Sequence, residues 1–188
     1  MGSEPLTKSQ ATRIRLIDAA EHLYVTQPVT EVTTRAIAEQ ASCSTGLAYR
    51  YFDSKDALMG AVLDRAAAYI TEDMEPTDPP PVLAQKAWQR MQDKPVFARL
   101  TAHLLMENRT LGEIVSGFPF LQLAIGQALA ADDDDPETAA ASLATLVLGH
   151  AFFAPIINSA IDRPPDDPRI YDRMQQATNA IYQSEPRP

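Results

Sequence analysis

Residues 33–55, TTRAIAEQASCSTGLAYRYFDSK, divide into two short apolar-periodic segments separated by a serine-containing break. That spacing predicts two short helices joined by a tight turn, and no strand-like alternation occurs around them. The second helix carries Tyr49, Arg50 and Tyr51, and Lys55 follows at once. Such a unit is stable only if a third helix covers its apolar side, so it demands a helical neighbour in the chain.

The neighbour precedes it. Ile14, Ile17, Ala20 and Tyr24, with Leu16 and Leu23 alongside, recur at three- and four-residue spacing and mark a first helix ending before Pro28. Thr33 or Thr34 can start the second helix by accepting a free backbone N–H, with Ile37 and Ala41 inward. Ala36 stands where a reciprocal capping box would need Glu or Gln. Ser44 can cap the third helix, which runs through Phe52 with Ala48 and Phe52 inward. Asp53 or Ser54 then caps a fourth, with Leu58, Ala61, Val62, Arg65 and Tyr69 in register to about Met74.

Residues 76–81, PTDPPP, cannot continue a helix and form the natural boundary with a second domain. Further helices are expected at about 82–93, 95–109, 118–131, 136–161 and 168–184. Pro95, Pro136 and Pro168 fall at first helical positions, with Asp135 and Asp167 as caps for the last two. The fold class is therefore all-α, with a three-helix helix-turn-helix head. The expected division is a flexible arm at 1–9, the head at 10–55, a connecting helix at 56–75, a helical domain at 76–184 and a flexible tail at 185–188.

Composition narrows the function classes. The chain has 188 residues, 45% hydrophobic and 22% charged, which suits a folded globular protein. Its single cysteine, Cys43, excludes an intrachain disulfide framework and a multi-cysteine zinc site, and fits a reducing cytoplasm. The first 25 residues carry Glu4, Lys8, Arg13, Arg15, Asp18 and Glu21 without an apolar block, so no signal peptide is expected. No nucleophile–base pair, phosphate loop or metal spacing supports a helical enzyme, and no cofactor is implied. The Asp132–Asp135 run lacks the alternating ligands, glycine and distal glutamate of a calcium loop. His103, His150 and Glu107 show no close metal-ligand motif.

A net charge of −9 disfavours bulk attraction to nucleic acid. The charge is uneven, however. Residues 8–55 hold six basic groups (Lys8, Arg13, Arg15, Arg35, Arg50, Lys55) against five acidic ones (Asp18, Glu21, Glu31, Glu39, Asp53). A recognition helix needs polar groups at its N-terminal part and flanking grips on phosphate. Ser44 and Thr45 supply hydroxyls, Gly46 allows close backbone approach, and Tyr49, Arg50 and Tyr51 supply phenol and guanidinium donors. Arg50 suits a bidentate contact to guanine or a phosphate grip, Tyr49 a phosphate through its hydroxyl, and Lys55 a phosphate. Leu47 can meet a thymine methyl or pack on the first helix.

These residues resemble the tetracycline-repressor-like (TetR) family of bacterial transcription regulators. The likeness covers roughly residues 10–70 and rests on Val32-Thr33-Thr34-Arg35, Ile37-Ala38, Gly46, Tyr49-Arg50-Tyr51-Phe52 and Ser54-Lys55-Asp56-Ala57-Leu58. It implies that Thr34 contacts phosphate, Arg35 phosphate or base, Thr45 and Leu47 bases, and Tyr49 and Lys55 phosphates. Ser42 stands where the family usually has glycine in the turn, Cys43 where it has valine, and Ala48 where it has a larger aliphatic residue. A serine at a positive-φ turn position is costlier than glycine.

The second domain is less marked. Glu137 to Asp162 encloses no charged residue, a length compatible with a membrane span, but Thr138, Ser142, Thr145, Gly149, His150, Pro155, Asn158 and Ser159 interrupt it. A buried helix of a soluble dimer is the expected reading, with no membrane. A stripe of Leu143, Leu146 or Val147, His150, Ala154 and Ile157 can face a partner, leaving Leu148, Phe152 and Ile156 inward; the sequence leaves the choice open. Ile170, Tyr171, Met174, Ala177, Thr178 and Ile181 give the final helix a matching face. The last two helices can thus build half of an intersubunit four-helix bundle, an arrangement the resemblance also implies.

The resemblance further implies a small-molecule effector. Trp88, Met91, Phe97, Leu100, His103, Leu104, Met106, Glu107, Phe118, Phe120, Leu121 and Phe152 are suitable pocket material, each equally suited to ordinary core. His103 and Glu107 lie one helical turn apart, as a polar anchor or a surface pair. Taken together, the chain reads as a homodimeric, cytoplasmic regulator of double-stranded operator DNA, a repressor released by its effector. An activator or a ligand-independent regulator of the same fold remains the alternative.

Overall fold

The computed structural model describes residues 7–164 and 167–183. Among them every regular element is helical. The expected arm and tail lie largely or wholly outside the described residues, as do the side chains of Tyr171, Met174 and Ile181.

The chain forms two compact units, one of residues 1–66 and 95–117 and the other of 67–94 and 118–188. In the first, α1 spans Lys8–Thr26, α2 Thr34–Gln40 and α3 Thr45–Tyr51, and α4, Lys55–Thr71, begins there. Helix α6, Pro95–Met106, and a 3-10 turn at Leu111–Glu113 complete it. Each start has a local cause. Thr7 and Gln10 form a reciprocal capping box on α1, with Gln10 N donating to Thr7 Oγ1 at 3.2 Å and Thr7 N to Gln10 Oε1 at 2.9 Å. Ala36 N donates to Thr33 Oγ1 at 3.1 Å, Leu47 N to Ser44 Oγ at 3.2 Å and Ala57 N to Ser54 Oγ at 3.0 Å. Of the sequence alternatives, Thr33 caps α2 and Ser54 caps α4.

The core of this unit gathers Leu16, Ala20 and Tyr24 of α1, Ile37 and Ala38 of α2, Ala48 and Phe52 around α3, and Leu58, Val62 and Leu63 of α4. Ile14, placed on the inward stripe by spacing, is 38% exposed. The turn between α2 and α3 passes through Ser42 at φ 52°. This is the left-handed conformation that favours glycine, taken here by serine.

The compact units do not divide at the proline run. Helix α6 follows that run, yet its Val96, Leu100 and Leu104 are fully or nearly fully buried in the same core as α1 to α4. Arg99 also donates to the Gln27 carbonyl at 3.2 Å. Burial of three aliphatic side chains, about 1.5–3 kcal/mol each, fastens α6 to the head. Local sequence spacing carries no sign of that long-range contact.

The second unit contains α5, Pro80–Asp93, α7, Pro119–Ala130, α8, Pro136–Ala160, and α9, Pro168–Gln183. All four begin with proline, whose missing N–H costs nothing at a first helical position. Asp135 accepts from Thr138 N at 3.2 Å and Asp167 from Arg169 N at 3.0 Å, as expected of caps. Helix α8 packs on α5 and α7, and α9 on α5. Lys86 joins Asp78 at 2.6 Å, and Arg90 pairs with Asp73 while lying over the Tyr69 ring. The hydrogen bond from Arg90 holds the Asp73 carboxyl below its ordinary range.

By length and composition α8 is able to cross a membrane, with mean hydropathy 1.8 and a third of its apolar window buried in the fold. Its buried side is the stripe Leu143, Val147, His150, Ala154 and Asn158. Leu143, Val147, His150 and Ala154 belong to the stripe that the sequence offers to a partner, and in the structure they turn into their own unit, while Ile157 of that stripe is exposed. Ile156, set inward in the same option, is 67% exposed, and so are Phe153 (59%) and Ile157 (56%).

Candidate nucleic-acid interface

Helix α3 is amphipathic over only two turns, and its burial pattern orients it. Ala48 is 1% and Phe52 6% exposed, so those positions hold the helix to the core. Positions between them must then point away. Tyr49 is 51% exposed, and Arg50 is exposed beside it with no ion pair among the described residues. Tyr51, expected to offer a donor, is half-buried and packs against the core.

The N-terminal part of α3 is small and polar. Ser44 is exposed but its Oγ already accepts from Leu47 N, while Thr45 and Leu47 are half-buried. Gly46 is exposed, and a Cβ built there would meet nothing within 4 Å. Its lack of a side chain leaves backbone accessible to a surface laid against the helix. Leu47 is not among the side chains of the head core, so its packing alternative gains no support.

Around α3 sit the flanking groups. Thr33 is exposed, Thr34 half-buried, and Arg35 exposed with its Nε 3.0 Å from Glu39 Oε1. An exposed pair of this kind is worth about 0–1 kcal/mol, so phosphate can displace it at little cost. Lys55 is half-buried and donates from Nζ to the Val29 carbonyl at 3.1 Å. Two of its three N–H donors remain for phosphate. The acidic residues of α1 face elsewhere, for Asp18 and Glu21 both pair with Arg65 of α4. Arg13 lies over the Phe52 ring at 5.2 Å. Cys43 is half-buried against the core, which fits a packing thiol.

The residues offered for an effector are dispersed. Phe97, Leu100, His103, Met106 and Glu107 belong to α6 and the residue following it in the first unit. Leu100 is core, Phe97 packs on that core, and Met106 is 87% exposed. His103 and Glu107 form the surface pair, Nε2 to Oε1 3.5 Å. Trp88, Met91, Phe118, Phe120 and Phe152 lie in the second unit. Met91 is buried on α5, Phe118 is 39% exposed at the start of α7, and Phe120 and Phe152 are half-buried.

Only Trp88 of these ten lines a small, partly open cavity of the second unit, of about 20 Å³, with Ala84, Leu146, Val147, His150 and Thr178 among its other walls. Its ring meets His150 edge-on, centroids 4.0 Å apart. Burial holds His150 below the ordinary histidine range, favouring neutral imidazole. The space suits about one water, so a larger guest would have to displace side chains. The sequence gives no sign of His150 as a cavity wall, since its meeting with Trp88 joins α8 to a helix some sixty positions earlier in the chain.

Comparison with known proteins gives the site its context. Residues 16–62 match the family described as bacterial regulatory proteins, tetR family. The HTH-type transcriptional repressor Rv3405c of Mycobacterium tuberculosis is 26% identical over 147 residues, covering 77% of this chain and 74% of that one. The transcriptional regulator SCO4942 from Streptomyces coelicolor has a similar structure, with TM-score 0.69 and 21% identity over 92% of this chain and 98% of that one. BioQ from Mycobacterium smegmatis aligns with TM-score 0.66 and 18% identity over 97% and 100%. The family match lies on the helices that expose Tyr49 and Arg50, and the shared fold extends over both units. Residues 16–62 thus carry the helix-turn-helix head shared with bacterial regulatory proteins of the tetR family, and the chain is a DNA-binding transcriptional regulator.

Proposed function

We propose that the protein is a cytoplasmic, homodimeric repressor that reads a near-palindromic operator through paired heads and is released by a small-molecule effector. One observation carries the DNA side: α3 is held by Ala48 and Phe52 so that Tyr49 and Arg50 stand out together. In this reading Arg50 contacts guanine or phosphate, Thr45 and Leu47 meet base edges, and Thr33, Thr34, Arg35, Ser44, Tyr49 and Lys55 serve the backbone. Gly46 allows close approach. Tyr51 contributes mainly by packing.

The dimer is supported by the exposed apolar stripe Phe153, Ile156 and Ile157 on α8, with Ile161 just beyond it. A second copy of α8 and α9 would remove it from water. Repression is supported by the likeness to Rv3405c, a transcriptional repressor. For the effector, the small cavity beside Trp88 and His150 offers mostly apolar walls with one neutral imidazole, the composition of a small-molecule site. Occupancy would have to favour one dimer geometry over another to alter DNA affinity.

The test is selection of bound fragments from genomic DNA with purified protein, followed by titration in salt. A shared palindrome should emerge, with weak salt dependence reflecting few phosphate neutralisations in so acidic a chain. Retention of no specific DNA at low salt would overturn the reading. Thermal shift against a panel of uncharged aromatic and aliphatic compounds tests the effector, since a ligand bound by the folded state alone raises its stability.

A further inference from the structure

Residues 109–116, the segment that follows α6, lie along α4 within the first unit. Asp56 Oδ2 pairs with Arg109 Nη2 at 3.0 Å. One turn on, a Cβ at Gly60 would overlap the Ile114 carbonyl oxygen, and at the next turn Asp64 accepts from Ser116 N at 2.9 Å and from Ser116 Oγ at 2.8 Å. The Arg109 guanidinium is thus brought to the first turn of α4 by a segment that meets the helix at successive turns.

That turn carries the proposed phosphate grip. Lys55 opens α4 with its Nζ fixed on the Val29 carbonyl, and Asp56 is the next residue. A carboxylate suits a helix start, where free N–H groups and the dipole favour negative charge. For DNA it is a liability, because the residue beside Lys55 lies within about one Debye length, roughly 8 Å at physiological salt, of a phosphate that Lys55 holds. Asp53, two residues before Lys55, is exposed and has no ion pair among the described residues, so that carboxylate is already uncompensated. Asp56 is compensated by Arg109. Towards the core Asp56 acts on the fully buried Tyr24 phenol, which burial first and Asp56 second keep protonated, so the phenol adds no charge. Glu113 and Glu107 act on Arg109 at longer range, which favours keeping the guanidinium in place.

We propose that Arg109 is a positioning residue for DNA binding that acts through Asp56: it neutralises the carboxylate beside Lys55, so that α4 keeps an acidic first turn without repelling the phosphate backbone. This rests on the reading that Lys55 holds phosphate. The effect is independent of base sequence, since it bears on the backbone and not on base edges. The rival role for the same pair is mechanical, fastening residues 109–116 to α4. With side chains 30% and 48% exposed, the pair contributes little to stability, so its loss should leave the head folded.

The experiment measures binding of the wild type, Arg109→Gln, Asp56→Asn and the double variant to the selected operator and to a scrambled duplex, between about 50 and 200 mM salt. Arg109→Gln should bind both duplexes about threefold to tenfold more weakly at the low end, and the loss should shrink as salt rises. Asp56→Asn should bind both more tightly by a similar factor. The double variant has lost the pair but regained neutrality, and should return to within about twofold of the wild type. A fastening role predicts the reverse: weaker binding by Asp56→Asn, and a double variant as weak as Arg109→Gln, because the pair is absent from all three. Either of those results overturns the proposal, as does unchanged affinity in Arg109→Gln. If Arg109→Gln does not fold, Asp56→Asn decides between the two roles alone. Lys55→Gln separates the layers: wild-type affinity in that variant removes the phosphate grip and the proposal with it, whereas a wild type that retains neither duplex sinks the DNA reading itself.

Discussion

Single residues show where this chain accepts cost and where it spends polarity. Ser42 adopts φ 52° while exposed in the turn between α2 and α3. Left-handed backbone costs a residue with a Cβ about 1–2 kcal/mol, part of which glycine returns through its freer unfolded chain. Ser42→Gly should therefore stabilise the head by about 0.5–1 kcal/mol, measured as a higher midpoint in urea. An unchanged or lower midpoint would contradict the strain argument. The departure from glycine was visible in the sequence; the positive φ that makes it costly required the folded turn.

His150 gives a pH dependence with a defined sign. Burial disfavours its imidazolium, so the folded chain keeps it neutral below the ordinary value near 6.5. As pH falls through about 6.5 the unfolded chain takes up a proton that the folded chain resists, and stability drops until the depressed folded value is passed. His150→Gln should reduce the loss of melting temperature between pH 7.5 and pH 5.5. Equal losses in the two proteins would place the titrating group elsewhere.

At the scale of elements, starts were more legible than partners. Thr33, Ser44, Ser54 and Asp135 cap their helices as expected because capping is a contact within three residues. Helix α6 was legible as a helix, but not as part of the head, because Val96, Leu100 and Leu104 satisfy the same apolar period whichever core receives them. For the same reason the effector candidates, chosen by residue type, fell on both compact units. Gly60 also escaped notice, since a helix-interior glycine is explained only by what lies against it. Gly60→Ala gains about 1 kcal/mol in helix propensity but meets the Ile114 carbonyl, an overlap of the kind that costs about 1–3 kcal/mol. The net expected outcome is a lower denaturation midpoint. A gain equal to the propensity term would show that residues 109–116 do not bear on α4.

For the molecule as a whole, the proposed dimer seats on the apolar face of α8. Phe153, Ile156 and Ile157 are exposed on successive turns, a patch that a second copy would cover. Ile157→Asp should shift the protein from dimer to monomer in sedimentation and weaken operator binding, because one head then reads one half-site. A monomeric wild type, or an Ile157→Asp variant that stays dimeric, would move the interface elsewhere. The sequence offered two stripes for this role, and only packing against α5 and α7 separates them.

Operator recognition rests on α3 reading DNA, and binding of the selected operator by Tyr49→Phe and Arg50→Ala measures that most directly. Tyr49→Phe should weaken all sequences alike through a lost phosphate contact. Arg50→Ala should cost about 1–3 kcal/mol at a guanine if it reads that base, or weaken binding uniformly and flatten the salt slope if it holds phosphate. Affinity unchanged in both variants, with both still folded, would contradict the assignment of α3 as the reader.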